Sequence, residues 1–428
     1  MKNIFKKIIT DFHERPIRPV LAREYKIPVD SRKIVSLIGV RRSGKTSILY
    51  HIMENLRQTI DPANVVYINF EDDRLFPIVL GNLNDLVDAY YELYPEKRGE
   101  KIYFFLDEIQ NVENWEKFVR RVYDTLNVGL FITGSSSSLL GSEIASALRG
   151  RTITYEIFPF SFAEYLRFRQ IEVNFHSSAA LSYIANAFED YLVNGGFAET
   201  IDVLPDIRTR VLRDYVDLII YKDIIERHGI KNHALMKHLV KYCFTHMGTA
   251  ASLTKLYNDF KSQGHRLGKD TLFDYFSYLE DAFAVFSVPV FRNSVREERR
   301  NPRKIYAVDN GFKSIFEASL SPDYGRLYEN AAFLHLRRKT REVYYFLQRR
   351  EVDFYCRIGG DQVVANVSYE IDDPKTRARE IEGLTEAMNW FGAGLGYLVT
   401  RDSEETVLQG GKELRIMPLW KWLLTFGS

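Results

Sequence analysis

Between Ile34 and Ala145, short apolar runs alternate with stretches of helical periodicity. The runs are IVSLIG, VVYINF, IYFFLD and LFITG, and the amphipathic stretches between them are SILYHIMENLRQ, LNDLVDAYYELY and WEKFVRRVYDTL. A strand covered by helices on both faces has no polar alternation, so this pattern predicts buried parallel strands in a doubly wound α/β domain. From Ser161 to about Lys231 the signal is almost wholly helical (SFAEYLRFR, LSYIANAFEDYLV, VLRDYVDLIIYKDIIERH), broken once by GGF at 195–197. It predicts a helical lid. Residues 232–312 read as three short helices, a strand AFAVFSVPV, a polar turn and a second strand KIYAVD. Three helices followed by a hairpin are a winged-helix pattern. Beyond Tyr328 the strands VYYFLQ, VDFYCRI, VVANVSYEI and GYLVT, interspersed with helices such as TRAREIEGLTEAMNWF, predict a second α/β unit.

Length and composition add bounds. A chain of 428 residues exceeds one ordinary core, which predicts several packed units. Its 58 Lys plus Arg stand against 57 Asp plus Glu, so global charge indicates no polyanion partner. Cys243 and Cys356 lie far apart, which points to neither a disulfide framework nor a zinc knuckle and fits a reducing, cytoplasmic setting. Charge interrupts MKNIFKKIITDFHERP before any secretory apolar core develops, and no run reaches the roughly 18 apolar residues of a membrane span. A soluble chain without a membrane partner is expected.

The chemistry starts at Gly39-Val-Arg-Arg-Ser-Gly44-Lys45-Thr46, which matches G-x-x-x-x-G-K-[ST] and sits between a predicted strand and a predicted helix. Glycines let the backbone curl so that its N–H groups and the helix N-terminus face phosphate oxygens. Lys45 would neutralise the β and γ oxygens, and Thr46 offers a hydroxyl to Mg²⁺. The nucleotide-binding set is therefore Gly39, Arg41, Arg42, Ser43, Gly44, Lys45, Thr46 and Ser47. Later, IYFFLDEIQ ends an apolar strand in Asp107-Glu108, as a Walker B element does. Asp107 suits the Mg²⁺ shell, and Glu108 is placed to orient or deprotonate an attacking water. The absence of an N-K-x-D base-reading motif disfavours GTP, leaving ATP/ADP with Mg²⁺ as the expected ligands. The strand LFITG runs into Ser135-Ser-Ser-Ser138, and Ser135 is the candidate polar sensor, with a helix-capping serine as the alternative. Arg149 and Arg151 in LRGR are candidate arginine fingers, in cis or to a neighbouring subunit; Arg151 is the preferred one, and a solvated strand start is the alternative.

The strings GVRRSGKTS, LDEIQ, ITGSSSSLL, LRGR, FPFSFAEYL, YLVNGGFAE and YKDIIERHGI, in this order, resemble those of bacterial and archaeal AAA-like ATPases with an uncharacterised C-terminal region, relatives of the Orc/Cdc6-type initiator ATPases. LEDAFAVFSVPVF, NPRKIYAVDNGF, YGRLYENAAFLHL and EVDFYC are similar to that family too. The resemblance implies an AAA-like P-loop core with a parallel sheet (1–160), a helical lid (161–231), a winged helix (232–312) and a C-terminal α/β domain of the PD-(D/E)XK nuclease fold (313–428). Glu329 and Asp353 fall where that fold carries acidic residues. A two-metal nuclease also needs an (E/Q)-x-K pair on the following strand, where this chain has Asn366-Val-Ser368. Asn weakens the metal site and Ser removes a cation, so a degenerate nuclease fold that binds without cutting is expected, unless Lys375, Arg377 or Arg379 substitutes from the next helix.

The predicted wing at 292–304, RNSVREERRNPRK, is rich in cations and suits non-specific contact with DNA phosphates; a protein partner is the alternative. Asp270, Asp274, Glu280 and Asp281 on the helix that would enter a groove argue against sequence-specific readout. The group His233, His238, Cys243 and His246 scatters around a helix and does not make a zinc site. The reading that follows is an ATPase coupling nucleotide state to DNA or partner binding, with oligomerisation open. A slow ADP/ATP switch and an ATP-regulated nuclease are the rivals.

Overall fold

The computed structural model describes residues 1–135, 148, 150–264, 267–292, 302–316 and 322–427. It divides into two compact units, Met1–Ile157 and Phe158–Ser428.

The first unit is built on a five-stranded sheet in the order β2-β3-β4-β1-β5. The strands are β1 Ile34–Ile38, β2 Val65–Asn69, β3 Ile102–Asp107, β4 Val128–Gly134 and β5 Thr152–Glu156, and every pairing is parallel. Helices α2 Lys45–Arg57, α3 Leu83–Leu93 and α4 Trp115–Thr125 connect them, as the apolar pattern predicts. Burial explains the pattern: β1 and β3 have no exposed position at all. The apolar face of α2 (Ile48, Leu49, Ile52, Met53) packs on Val35, Leu37, Phe105 and Phe131, and Phe105 stacks on Phe131 with centroids 4.6 Å apart. The N-terminal segment is an amphipathic helix, α1 Lys2–Glu14, which buries Phe5, Ile8 and Ile9. Its lysines form the outer face, with Lys2 and Lys6 both paired to Glu92.

The second unit opens with helices. Phe162–Phe168 starts at a capping box in which the Ser161 side chain and Glu164 each satisfy the other's backbone N–H. Ser178–Asn194 and Pro205–Leu218 follow. Helices His233–Thr245, Leu253–Ser262 and Lys269–Asp281 then precede a three-stranded sheet, β6-β8-β7, of Ala250–Ala251, Arg303–Ala307 and Val285–Pro289. The predicted helices and hairpin are present, whereas wing residues 293–301 lie outside the described residues. The closing sheet is mixed, in the order β13-β14-β12-β11-β10-β9. It comprises β9 Val343–Leu347, β10 Glu351–Ile358, β11 Asp361–Val367, β12 Leu395–Thr400, β13 Glu405–Gln409 and β14 Lys412–Pro418. The helix Pro374–Phe391 makes the crossover between parallel β11 and β12, and its Phe391 ring stacks on Tyr355 at 3.5 Å.

A buried polar knot accounts for two glycine-bearing strings, NGGF and VDNGF. Asp309 accepts hydrogen bonds from the backbone N–H groups of Gly196 and Gly311, both at 2.8 Å. A side chain at Gly195 would place its Cβ 1.7 Å from Asp309 Oδ1. Asn310 and Asn330 extend the knot, Asn310 donating to Leu192 O and Leu327 O and Asn330 to Ala307 O. Burial pushes Asp309 up to about 7, against the pull of the two N–H groups toward the ionised form. A raised carboxyl pKa stabilises the fold below the ordinary carboxylate range, and that stabilisation is lost as pH rises through about 7. Wild type should therefore lose melting temperature relative to Asp309→Asn between about pH 4 and pH 7. Parallel pH profiles of the two proteins in thermal denaturation would show that Asp309 carries no such linkage.

Candidate nucleotide site

The P-loop lies at the C-terminal end of β1, where its strand-to-helix turn requires backbone that only glycine adopts without cost. Gly39 has φ +145°, and a Cβ there would lie 2.2 Å from the Ile157 carbonyl oxygen. Gly44, at φ +97°, caps α2 from the left-handed region. The loop thus curls over the N-terminus of α2, the arrangement that presents N–H groups to phosphate oxygens. Lys45 is 4 % exposed, and its Nζ donates to Gly39 O and Val40 O at 3.0 Å each. It stands 3.9 Å from Glu108 Oε1. Arg41 pairs with Glu71 at 2.9 Å; Arg42 is exposed with φ +65°. The Ser43 hydroxyl is buried without a hydrogen-bond partner, and Ser47 lies in the first turn of α2.

Asp107 is the centre of the arrangement. Register places it at the end of β3 beside Asn69 of β2, and it is 1 % exposed. Thr46 Oγ1 and Tyr67 OH each donate to Asp107 Oδ2 at 2.8 Å, and Thr133 Oγ1 donates to Oδ1. Burial pushes the Asp107 carboxyl up; the Thr133 hydrogen bond works against that, the Glu108 charge adds to it, and the Tyr67 and Thr46 hydroxyls oppose it. Burial, then the Asp107 charge, holds the Tyr67 hydroxyl protonated. Glu108 sits in the left-handed region at φ +52°. Its backbone N–H donates to Thr133 Oγ1 at 2.9 Å, and its Oε2 accepts from Gln110 Nε2.

The residue set fits a magnesium nucleotide. Thr46 and Asp107 are the hard oxygen donors that Mg²⁺ prefers, Lys45 is the buried cation beside them, and the unpartnered Ser43 hydroxyl lies within the phosphate loop. Sequence reasoning thus named Lys45, Thr46, Asp107 and Glu108, and the structure brings these four together. It did not find Tyr67, Thr133 or Gln110. Thr133 is the one polar residue within the apolar run LFIT and Tyr67 the one hydroxyl in VVYI, and those interruptions were the available signal.

Two candidates stand differently. Ser135 is buried just past the end of β4, two residues beyond Thr133, whose hydroxyl donates to Asp107. Arg151 is corrected as a finger in cis. It precedes β5, and its carbonyl accepts from Ile34 N at 2.8 Å, at the N-terminal end of β1. The P-loop leaves the opposite end of that strand, and Arg151 Nε is paired with Asp124 at 3.1 Å. Arg149 lies outside the described residues.

In the second unit, Glu329 projects from the helix Tyr324–Arg337 and Asp353 from β10. Asn366 on β11 accepts from Asp353 N at 2.9 Å and donates to Glu380 Oε2 at 2.5 Å, so it holds the strand pair together. The Ser368 hydroxyl donates to Glu370 O at 3.2 Å. Lys375 is exposed, Arg377 pairs with Glu405 at 2.8 Å and Arg379 with Glu380 at 2.6 Å. The ammonium that meets Asp353 and Glu329 is that of Lys304 on β8, whose Nζ lies 2.7 Å from Asp353, 2.8 Å from Glu351 and 3.0 Å from Glu329. Lys304 is also thereby removed from the cations a wing would offer to DNA, since it is only 2 % exposed. Among the described residues no group of His, Cys, Asp and Glu is arranged to hold a metal ion, and no helix is long and apolar enough to cross a membrane.

Comparison with known proteins agrees with the geometry. Residues 31–166 match the family described as "AAA domain" and residues 185–319 a "Domain of unknown function (DUF8612)". The chain is 33% identical to the uncharacterised protein MJ1544 of Methanocaldococcus jannaschii over 440 residues, covering 99% of this chain and 96% of that one. It is 29% identical to an uncharacterised protein of Haemophilus influenzae, covering 80% of this chain and 84% of that one. Among solved structures, the Aeropyrum pernix Orc1 protein in complex with DNA aligns at 13% identity and a TM-score of 0.34, over 66% of this chain and 86% of that one. Cdc6p of Pyrobaculum aerophilum aligns at 12% and 0.26, over 74% and 91%.

Proposed function

Since the chain belongs to the family of AAA-domain P-loop proteins that includes the Methanocaldococcus jannaschii relative, we propose that it hydrolyses ATP with Mg²⁺ and couples nucleotide state to the binding of DNA or a protein partner. The observation that carries the hydrolytic reading is the convergence of Lys45, Thr46, Asp107 and Glu108 at one end of the parallel sheet. Mg²⁺, when bound, would supply positive charge against the negative charge that develops on the phosphates. Thr46 and Asp107 would hold that ion, Lys45 would turn from the Gly39 and Val40 carbonyls to the phosphates, and Glu108 would take the proton of the attacking water. Tyr67 and Thr133 would fix the orientation of Asp107 by donating to its two oxygens.

One observation favours the slower variant of this reading, an ATP/ADP switch. Lys45 donates to its own loop and Glu108 accepts from Gln110, contacts that would have to give way before turnover. Phosphate release measured with and without added DNA, across protein concentration, separates the two. Stimulation by DNA or by self-association supports coupling; turnover that is slow and indifferent to both supports the switch.

For the second unit we expect no Mg²⁺- or Mn²⁺-dependent cleavage of single- or double-stranded DNA, with or without ATP. Asn366 and Ser368 contribute no charge, and Asp353 is already bonded to Lys304 and to Val367 N. Cleavage that disappears in Asp353→Ala would contradict this.

A further inference from the structure

We infer that Glu329, Glu351 and Asp353 form a cation site that the chain fills with its own Lys304, so that the wing strand supplies the counter-ion of the C-terminal sheet and divalent metal is kept out. The inference stands apart from the ATPase reading. Glu351 and Asp353 lie two residues apart on β10 and so face the same side of the sheet, while Glu329 approaches from the helix Tyr324–Arg337. An ammonium group has three donors and no acceptor. Here it stands 2.7, 2.8 and 3.0 Å from three carboxylate oxygens and donates hydrogen bonds to Asp353 and Glu329. The Tyr306 hydroxyl donates to Glu329 Oε1 at 2.7 Å, and a Cβ on Gly248 would lie only 3.0 Å from Glu329 Oε2. The chain therefore closes the cluster on that side.

Carboxylate oxygens lie about 2.0–2.1 Å from Mg²⁺, closer than the 2.7–3.0 Å at which they surround Nζ, so a divalent ion would take the place of the ammonium with the carboxylates drawn inward. Ion and ammonium are mutually exclusive. Burial penalises the Lys304 ammonium, but the charges of Asp353, Glu329 and Glu351 outweigh it and keep the group protonated. Three carboxylates against one ammonium still leave excess negative charge. The site is thus short of positive charge even with Lys304 present, and it should accept a divalent ion once the lysine charge is gone.

The test is Lys304→Met, which keeps most of the side chain's bulk and removes its charge. In metal-free buffer the full-length variant should melt about 5 °C or more below wild type, because three carboxylates lose their partner. Millimolar Mn²⁺ should recover much of that loss in the variant and should shift wild type far less. Manganese titration followed by electron paramagnetic resonance should find one more bound ion per chain in the variant than in wild type. Adding Glu351→Gln and Asp353→Asn to Lys304→Met should restore the melting temperature without metal and abolish the extra ion. Equal melting temperatures of wild type and Lys304→Met in metal-free buffer, or equal Mn²⁺ shifts, would overturn the inference. If Lys304→Met does not fold without metal, refolding on addition of Mn²⁺ or recovery in the triple variant supports it. Failure of both would assign the loss to packing and overturn it.

Discussion

Lys45→Ala is expected to abolish binding of Mg²⁺-ATP, lowering affinity by roughly 10²-fold or more through loss of a charge-assisted contact to the phosphates. Lys45 is the buried cation of the loop: Arg41 is engaged by Glu71 and Arg42 is exposed. The substitution also strips the Gly39 and Val40 carbonyls of the donor that now satisfies them. Loss of binding should therefore come with some loosening of the loop, but not with unfolding, since α2 is anchored by Ile48, Leu49, Ile52 and Met53. Calorimetric titration with ATP checks this, and unchanged affinity would contradict it.

Glu108→Gln should behave in the opposite way, binding ATP while turning over roughly 10²-fold more slowly, as loss of general-base help predicts. The amide is isosteric and cannot accept a proton from water. Its backbone position, at φ +52° with N–H bonded to Thr133, is unaffected by the side-chain change. Single-turnover hydrolysis isolates the chemical step. A wild-type rate in that experiment would remove Glu108 from the mechanism.

The first unit was legible because its chemistry is local. The P-loop residues are consecutive, and the apolar strand ending in Asp107-Glu108 announces itself through composition alone. A role for Arg151 in cis was not legible for the converse reason: proximity in sequence to β5 says nothing about which end of a parallel strand faces the nucleotide. Tyr67 and Thr133 reach Asp107 across separations of 40 and 26 residues, through the strand order of the sheet, which one sequence does not reveal. Lys304 is the sharpest case. Its neighbours RNSVREERRNPR suggest a solvated, cationic turn, yet β8 carries it under the C-terminal sheet to Asp353, 49 residues away. A buried lysine is expensive unless carboxylates meet it, and no pattern in its own segment signals that they do. The hairpin of β13 and β14 was missed as well, because β13 is a largely exposed edge strand with little apolar content to mark it.

The most direct test of the central claim is phosphate release from ATP by the full-length chain, measured in Mg²⁺, in a chelator and in Glu108→Gln under identical conditions. The account predicts release in Mg²⁺ alone, lost with the chelator and strongly reduced in the variant although the variant still binds ATP. Release that persists without Mg²⁺, or that is the same in Glu108→Gln as in wild type, would contradict it.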